Sequence, residues 1–429
     1  MLTFVLLVAT IALTGGLSLY GLTYLVGAVR FAFLRFAPRP IAADPQASVS
    51  VLVPAHREGP AVIDTVETLL NQTYAGPIHI AILLDDEADS SFPPLREKYA
   101  LDEQLTADRG NRRVRVHLTG LRPKHAKINR VLPEIHSDYI ALLDADHRAD
   151  AQWLRTSVAV LEESDHVAVQ SVRRPLDTRR LFQFWDSAEN HIGNEVFNHL
   201  AAAWGLNALF TGTTCVFRSA VLRERGLPAS ITEDTALSYG LLIEGNSLAY
   251  NRDAGSYEDV APDFSTYIAR RRRWSNGHNQ TFLRYLSAIF TAPLPWRKRL
   301  QLVIHGGFFA IPLAIVALAN CFGIFFFFQL TDGVRWLAVL LSIVFAALLS
   351  GVVSRGAKAA LVNTAVAWCW IFPTSRASPC SATESSATRP FFRSSLFPTA
   401  SISGRWASPS PCLPSSCFSS VRIAWGGPR

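Results

Sequence analysis

Acidic residues follow three predicted strands of the chain, close to the point where each strand ends. Asp85 and Asp86 follow one strand, Asp144 and Asp146 follow another, and Glu58 lies just beyond a third. Paired carboxylates on neighbouring loops repel one another unless a cation or a hydrogen-bond donor offsets their charge. Asp-x-Asp offers the oxygen ligands that Mg²⁺ or Mn²⁺ prefers, and such an ion can share its shell with phosphate oxygens. Taken singly, each pair also fits a solvated loop, a turn or a helix cap.

The segment that carries these acids alternates between strand and helix patterns. Apolar residues at 63, 66, 69 and 70 form one stripe, which predicts a helix between the first two strands. Alternation of this kind predicts an α/β fold with a parallel, doubly wound sheet, in which ligands bind at the carboxyl ends of the strands. The predicted strands are 48–54, 79–84, 113–118, 139–143 and 166–171, and the predicted helices are 61–72, 125–136 and 152–163.

Several other classes of protein are disfavoured. No G-x-x-x-x-G-K-[ST] is present and no G-x-G-x-x-G follows the first strand, which argues against nucleotide hydrolysis and dinucleotide binding. The six cysteines include no C-x-x-C pair, so neither a zinc site nor a disulfide scaffold is indicated. The net charge of +7 is modest, and nucleic acid is not an expected partner. The alternative is a membrane-anchored nucleic-acid binder that uses the arginine run at 270–273.

Long apolar segments flank this α/β region. Residues 1–29 are long enough to span a bilayer and predict a transmembrane anchor, with a cleaved signal peptide as the alternative. Two further spans are predicted at 302–329 and 336–353. Basic residues follow the first and third spans, which predicts that residues 40–281 lie in the cytoplasm. Residues 282–301 mix aromatic and basic side chains, and are either an interfacial segment or a surface linker.

The composition changes from about residue 373. Residues 373–429 contain 15 Ser and 8 Pro but only one acidic residue, Glu384. No helical or strand period is present. The segment is therefore either a disordered tail or the product of a shifted reading frame.

Seven short segments occur in an order that is characteristic of one family. The chain resembles the processive membrane glycosyltransferases of glycosyltransferase family 2, the group that contains the cellulose, chitin and hyaluronan synthases. The resemblance covers about residues 48–280. The matching segments are VSVLVPAHRE at 49–58, LLDDEADS at 83–90, Lys124 with Asn129, ALLDADH at 141–147, FTGTTCVFRSAVL at 210–222, ITEDTALSYGLLIEG at 231–245 and RRRRWSNG at 270–277.

The resemblance implies a Rossmann-like GT-A domain that binds a nucleotide sugar. Asp144 and Asp146 are expected beside the diphosphate and a metal ion, Mg²⁺ or Mn²⁺, with Asp146 the more direct ligand. His147 is either a further metal ligand or a polar residue that flanks a helix. Either Asp85 or Asp86 could contact the base, and the resemblance does not decide between them. The residues expected to bind the donor are Pro54, Ala55, Glu58, Asp85, Asp86, Lys124 and Asp144.

Asp234, with its neighbours Thr232 and Glu233, is the candidate catalytic group. In the implied reaction an acceptor hydroxyl attacks the anomeric carbon from the face opposite the leaving nucleoside diphosphate. A carboxylate within hydrogen-bond reach of that hydroxyl can accept its proton. The same three residues also fit a helix start with Thr232 as N-cap, and the two interpretations are compatible.

The last matching segment departs from the family pattern Gln-x-x-Arg-Trp. Arg270 stands in the Gln place, whereas Arg273 and Trp274 match. An arginine in that first place also occurs in the relatives that glucosylate ceramide. Arginine can bind phosphate and tryptophan can stack against a sugar, so these residues are expected to contact the diphosphate and the acceptor. The alternative is a basic patch that touches anionic lipid.

The predicted function is that of an inverting hexosyltransferase that moves a sugar, from a UDP-sugar, to a growing polysaccharide at the membrane. One alternative is a single-transfer enzyme that forms a glycolipid, and another is a non-catalytic nucleotide-sugar-binding paralogue. The expected partners are a nucleotide-sugar donor, a polysaccharide or lipid acceptor and membrane lipids. The protein is expected to be integral to a cell or inner membrane, with its catalytic domain in the cytoplasm.

Overall fold

The chain divides into two units, Met1–Thr374 and Ser375–Arg429, and every residue described below belongs to the first. The computed structural model describes residues 39–176, 181–190, 194–195 and 197–310, together with positions 8, 12, 14, 15 and 18. Within these residues the strands are β1 Val49–Pro54, β2 Ile78–Leu84, β3 Thr106–Arg109, β4 Arg112–Leu118, β5 Tyr139–Leu142, β6 His147–Ala149, β7 Ala168–Pro175, β8 Cys215–Arg218 and β9 Leu248–Glu258.

Helices separate most of these strands. Short 3₁₀ turns occur at Leu132–Glu134 and Phe308–Ala310. The α-helices of the described residues are α1 Ala61–Leu70, α2 Phe92–Tyr99, α3 Lys124–Val131, α4 Trp153–Glu162, α5 Leu181–Asn190, α6 Phe197–Ala203, α7 Ser219–Arg225, α8 Glu233–Ile243, α9 Phe264–Thr291 and α10 Trp296–Gly306.

One half of the sheet is parallel, as the sequence predicts. Strands β4, β2, β1 and β5 are neighbours, and Val51 on β1 pairs with Ile80 on β2 and with Ala141 on β5. Strands β1 and β5 are buried on both faces and are nearly continuous apolar runs, whereas β4 alternates buried valines with arginines. Both patterns are recognisable in the sequence. All five predicted strands and all three predicted helices form, with ends shifted by a few residues.

The other half of the sheet is mixed, which corrects the expectation of a wholly parallel sheet. Strand β8 runs antiparallel between β5 and β7, and β6 runs antiparallel to β9. Strand β3 is an antiparallel edge strand beside β4. Four strands in the structure, β3, β6, β8 and β9, lie outside the predicted set. Three of them have only three or four residues, too few for periodicity to reveal them.

Apolar helix faces cover both sides of the sheet, as expected for an α/β fold. Val51 and Val53 of β1 point toward one hydrophobic core, which also contains side chains of α1, α2 and α4. Leu52 points toward the other core, which contains side chains of α3, α7, α8 and α9. Because successive side chains of a strand alternate between faces, one short strand contributes to both layers.

The C-terminal described residues form two helices. Helix α9 runs without interruption through residue 282, where the predicted catalytic domain was expected to end. Helix α10 begins before residue 302, the predicted start of the second span. The remainder of that span, the other two predicted spans and the tail lie outside the described residues, apart from isolated positions in the first. Among the described residues, we find no helix with the length and apolar character needed to cross a membrane.

Candidate functional site

The end of β2 carries a carboxylate that is already neutralised. Asp85 forms an ion pair with Lys127 of α3, and its second oxygen lies 2.8 Å from Nδ1 of His56. The Lys127 ammonium also donates to the carbonyl oxygen of Ala55 over 2.5 Å, and its side chain is 1% exposed. Burial acts to raise the pKa of Asp85, but the hydrogen bond and charge of Lys127 outweigh it and lower the pKa.

A second acid lies beside Asp85 and holds the turn after β1. The backbone N–H groups of Arg57 and Ser91 donate to the carboxylate of Asp89 over 2.9–3.1 Å. Arg57 has a φ of 61°, an unusual conformation for a residue with a side chain. His56, Asp85 and Asp89 offer atoms within 4.8 Å of one another. We call these three residues the first cluster.

The predicted donor residues of this region differ in their accessibility. Ala55 is buried, and its carbonyl oxygen is occupied by Lys127. Asp86 is exposed, and one of its oxygens accepts the backbone N–H of Ala88. Asp86 is therefore open to a ligand, whereas Asp85 is held by protein groups. Lys127 was not among the predicted site residues, although it lies in the same short helix as Lys124.

Asp144, Asp146 and His147 form a second cluster at the end of β5. Their ligand atoms also lie within 4.8 Å of one another. The Asp144 backbone N–H donates to the Thr213 hydroxyl over 2.8 Å, which ties the loop after β5 to the loop before β8. The side chain of Asp146 is 54% exposed, so its carboxylate is accessible to a ligand.

Lys124 connects this second cluster to the predicted catalytic residue. Its ammonium forms an ion pair with Asp144 and donates to the carbonyl oxygen of Gly212 over 2.8 Å. Gly212 has a φ of +93°, and a Cβ placed on it would lie 3.4 Å from Oδ2 of Asp234. The carboxylate of Asp234 therefore lies directly against this glycine. Lys124 and Gly212 thus bring Asp144 and Asp234, which are 90 residues apart in the sequence, to one place.

The Thr232–Asp234 segment begins helix α8, as its helix-start interpretation predicts. Thr232 occupies the N-cap position, but its side chain makes no capping hydrogen bond. Its hydroxyl lies instead 3.1 Å from that of Thr281 on α9. A Cβ on Gly277 would lie 2.7 Å from Thr232, so the absence of a side chain there lets α9 approach closely. Thr232 therefore links the start of α8 to α9 rather than capping its own helix.

Negative charge exceeds positive charge around the second cluster. Partial desolvation raises the pKa of Asp146, and the nearby Asp144 adds to the rise. Partial loss of hydration likewise raises the pKa of Glu58, and the charges of Asp146 and Asp144 raise it further. Burial acts to raise the pKa of Asp144, but the charge of Lys124 holds it below its ordinary value. A bound cation would relieve this repulsion, and two carboxylates and an imidazole are suitable ligands for Mg²⁺ or Mn²⁺.

The family model described as "Glycosyltransferase like family 2" matches residues 45–277, more than half of the chain. Both clusters, Lys124 and the Thr232–Asp234 segment fall within the match. The chain belongs to this glycosyltransferase family. The prediction that the protein is a family 2 glycosyltransferase is therefore confirmed.

Curated relatives of this glycosyltransferase support the family and not the polysaccharide-synthase subtype that the motifs suggest. A beta-monoglucosyldiacylglycerol synthase of Synechocystis sp. is 25% identical over 299 residues, 68% of this chain. The match covers 60% of that relative's length. A probable glycosyltransferase of Bacillus subtilis, YdaM, is 22% identical over 304 residues, 68% of this chain and 70% of the relative.

A solved structure confirms the GT-A-like Rossmann fold. The mannosyltransferase PcManGT from Pyrobaculum calidifontis, determined with GDP-Man and Mn²⁺, has a TM-score of 0.58 to this chain. The two are 20% identical, and the match covers 84% of this chain and 98% of that one. At this identity the similarity establishes the fold alone.

In this glycosyltransferase the arginines of the altered Gln-x-x-Arg-Trp segment differ in their surroundings. Arg270 forms an ion pair with Asp186 of α5, which is fully buried, and its guanidinium lies 5.0 Å from the Trp274 ring. Arg273 is exposed. Arg270 is therefore fixed against Asp186 and Trp274, and Arg273 is the arginine of the pattern that faces solvent. The sequence did not single out Asp186, because nothing local connects it with a segment 84 residues later.

Buried hydroxyl groups orient His147 of the second cluster. Nδ1 of His147 lies 2.8 Å from the Ser256 hydroxyl, which in turn lies 2.6 Å from the hydroxyl of Thr214. This leaves Nε2 toward the acids, 3.8 Å from Asp146 and 3.5 Å from Glu258. A hydrogen bond to one ring nitrogen orients the other toward a metal ion. Ser256 and Glu258 come from β9, a strand that is not among those predicted from the sequence.

Proposed function

We propose that this chain is a metal-dependent, inverting glycosyltransferase that moves a sugar from a nucleotide sugar to a lipid acceptor. The main support is the meeting of Asp144 and Asp234 around Lys124 and Gly212. A metal-binding acid and a candidate base in one cleft are what a single displacement at the anomeric carbon requires. The donor is expected to be a UDP-sugar. Its nucleoside would occupy the edge formed by β1 and β2, beside the first cluster.

Asp144, Asp146 and His147 would hold Mg²⁺ or Mn²⁺. When bound, such an ion neutralises charge on a diphosphate and favours its departure. The protein contributes Lys124, whose ammonium lies between Asp144 and the Gly212 carbonyl and would supply positive charge to a diphosphate bound beside Asp144. Exposed Arg273 offers further positive charge for the diphosphate.

Asp234 would act as the general base. The acceptor oxygen forms a bond to the anomeric carbon, the bond from that carbon to the diphosphate oxygen breaks, and Asp234 takes the hydroxyl proton. Burial raises the pKa of Asp234, although Thr235, Lys124 and Arg173 partly oppose the rise. A raised pKa makes a carboxylate a better proton acceptor near neutral pH. One displacement inverts the configuration at the anomeric carbon.

Thr232, Glu233, Arg270 and Trp274 would shape the acceptor side. The Thr232–Thr281 contact and the close approach at Gly277 fix helix α9 against α8, the helix whose first turn contains Asp234. Trp274 lies almost one turn before Gly277 on that helix, and its indole ring can stack on a sugar. Asp186 holds Arg270 beside that ring, so the arginine orders the stacking surface.

A lipid acceptor is favoured by the curated relatives, three of which are named beta-monoglucosyldiacylglycerol synthase. Transfer to a growing polysaccharide is the second candidate, and it is supported by the motif resemblance alone. In either case we propose that the chain is integral to the membrane through the predicted apolar segments, with the catalytic domain in the cytoplasm.

The direct test uses membranes that contain the full-length chain. They are incubated with Mn²⁺ or Mg²⁺, diacylglycerol and each of a panel of radiolabelled UDP- and GDP-sugars. We expect one donor to label a single glycolipid, and labelling to stop when the metal is chelated. A ladder of labelled polysaccharide would instead support the second candidate, transfer to a growing polysaccharide. Absence of label in both lipid and polysaccharide with every donor would reject the proposed activity.

Asp234→Asn tests the assignment of the base. We expect kcat to fall by about 10²–10⁴-fold, because the proton acceptor is lost while its shape is kept. The dissociation constant of the nucleotide sugar, measured by calorimetry, should change little. Asp165→Asn, in the turn before β7, serves as the matched control and should retain wild-type kcat. Full activity in Asp234→Asn would remove this residue from the mechanism.

A further inference from the structure

Strand β7 ends with two arginines whose surroundings differ. Arg173 is 8% exposed, and its side chain lies inside the domain. Arg174 is 33% exposed and forms an ion pair with Asp150 over 2.7 Å. Burying a guanidinium costs hydration free energy, and a buried ion pair is often no more stabilising than apolar residues of the same volume. The burial of Arg173 therefore indicates a role other than stability.

One end of the Arg173 guanidinium holds the loop before β8. Its Nη1 donates to the carbonyl oxygen of Thr211 over 2.8 Å. Gln170, also on β7, accepts the backbone N–H of Thr211 over 3.0 Å. Two side chains of one strand thus hold both backbone polar groups of this residue. The next residue, Gly212, lies against Asp234, so β7 fixes the backbone beside the candidate base.

The pairing of β7 with β9 is interrupted between these two side chains. Ser171 pairs with Asn251 and Arg173 with Ser256, so between these pairs β9 has four residues and β7 has one. In a regular strand, side chains three positions apart point to opposite faces. A bulge changes the direction of the side chains next to it. This irregularity lets Gln170 and Arg173 reach the same residue of the loop.

The other end of the guanidinium holds Glu258 beside the second cluster. Nη2 of Arg173 lies 3.3 Å from Oε2 of Glu258, whose side chain is 13% exposed. The same oxygen lies 3.5 Å from Nε2 of His147, the ring nitrogen that faces the acids. A ring nitrogen that donates a proton to a carboxylate has no lone pair for a metal ion. Because Arg173 occupies Glu258, it keeps Nε2 of His147 available.

The charge of Arg173 also acts on the two acids that the proposed reaction uses. Burial acts to raise the pKa of Asp144 and of Asp234, and the charges of Lys124 and Arg173 oppose it at both acids. Lys124 forms an ion pair with Asp144, whereas Arg173 contacts residues that hold the site. Arg173 therefore lies behind the reacting groups and close to both of them.

We infer that Arg173 is a positioning residue of the transfer reaction. One end of its guanidinium fixes the backbone beside Asp234, and the other end keeps Glu258 from binding His147. A single buried cation thereby joins the metal site to the base without contacting the substrate. The inference rests on the proposed function, and it adds that both parts of the site depend on the same side chain.

The first test measures Mn²⁺ affinity by electron paramagnetic resonance, on full-length protein in detergent and without a sugar donor. R173M should weaken Mn²⁺ binding by about tenfold, the lower end of the loss that changes behind a metal ligand cause. In an E258Q background, where the competing carboxylate is absent, the same change should alter the affinity by less than about threefold. The difference between the two backgrounds measures the coupling of Arg173 to Glu258.

The second test measures transfer by membranes that contain the same variants, at saturating Mn²⁺. R173M should lower kcat by about 100-fold, because a small displacement of a reacting group can cost that much, while the KM for the nucleotide sugar changes by less than about threefold. R173K should recover about tenfold of this loss, since lysine keeps the charge but lacks the planar fork that holds two partners. A loss of stability alone would not be restored in this order.

R174M is the matched control in both tests. It removes the next arginine of the same strand, whose side chain contacts Asp150, Arg252 and Tyr257. We expect wild-type kcat and wild-type Mn²⁺ affinity. Should R173M fail to fold, R173K in the wild-type and E258Q backgrounds supplies both measurements, with smaller changes in the same directions.

Wild-type kcat and Mn²⁺ affinity in R173M would overturn the inference. Tighter Mn²⁺ binding in R173M would also overturn it, because Glu258 would then be a metal ligand that Arg173 occupies. An equal loss of affinity in the wild-type and E258Q backgrounds would reduce Arg173 to a structural role. A chain that transfers no sugar but shows the dependence on Glu258 rejects the proposed activity and keeps the link between Arg173 and the metal site. Transfer by R173M at the wild-type rate keeps the activity and rejects the inference.

Discussion

Two clusters of acidic residues lie at the same edge of one sheet, yet their charges are balanced differently. In the first cluster, Asp85 is paired with Lys127 and His56, and Asp89 accepts two backbone N–H groups. In the second cluster, Lys124 neutralises Asp144, whereas among the described residues Asp146 has no Lys or Arg partner, and its nearest ring nitrogen, Nε2 of His147, lies 3.8 Å away. Protein groups therefore balance the first cluster, whereas the second retains negative charge.

This difference separates a structural role from a ligand-binding role. The pKa of Asp85 is lowered by its protein partners, while the pKa values of Asp146 and Glu58 are raised by desolvation and by like charges. Groups whose ionised form is unfavourable in the free protein are candidates for binding a cation. Of two clusters that both have suitable spacing, the second is the better metal site.

The sharpest test of this comparison is the effect of single neutralisations on Mn²⁺ affinity. Asp146→Asn should weaken Mn²⁺ binding by more than about 100-fold, because loss of even an outer-sphere partner costs 10–100-fold. Asp89→Asn, the matched change in the first cluster, should leave the affinity within about twofold. Electron paramagnetic resonance of free Mn²⁺ measures both. If Asp89→Asn had the larger effect, the two assignments would have to be exchanged.

The next test concerns stability. Lys127→Met leaves Asp85 without its buried cation and should lower the free energy of unfolding by about 3 kcal/mol. Lys98→Met is the control, since Lys98 is 51% exposed and lies 4.0 Å from Glu67. That change should cost at most about 1 kcal/mol. Thermal unfolding in one detergent compares the two variants, and equal effects would show that Asp85 does not depend on Lys127.

The smallest expected effect is an opposite dependence on pH. Asp85 has a lowered pKa in the folded chain, so its stabilising contribution is present above about pH 4 and lost as the pH falls further. Glu58 has a raised pKa, so its ionisation destabilises the folded chain as the pH rises above about 4.3. Without metal, Asp85→Asn should therefore lower the melting temperature near neutral pH, whereas Glu58→Gln should raise it.

Addition of Mn²⁺ sharpens the pH test. The bound cation offsets the repulsion around Glu58, so the advantage of Glu58→Gln should shrink, while the deficit of Asp85→Asn should persist. Melting curves from about pH 4 to about pH 8 with and without the ion provide the comparison. Parallel behaviour of the two variants would mean that the charge balance of the clusters does not differ.

Much of the parallel half of the sheet could be predicted from the sequence. The apolar runs of β1, β2 and β5, the alternation of β4 and the stripe of α1 are local patterns, and the acids lie at the ends of the strands that these patterns predict. In the mixed half, strand β7 could be predicted but the pairing could not, because strand direction depends on partners distant in the chain. Strands of three or four residues such as β6 and β8 have no period of their own.

The sequence by itself determined which residue types are available for the chemistry, because Asp-x-Asp, Thr-Glu-Asp and Arg-Trp are contiguous motifs. Tertiary structure decided which of those groups are already satisfied. Lys127 on Asp85, Asp186 on Arg270 and Ser256 on His147 are contacts between distant segments. The availability of a charged group depends on the field of its spatial neighbours, and only the folded chain fixes those neighbours.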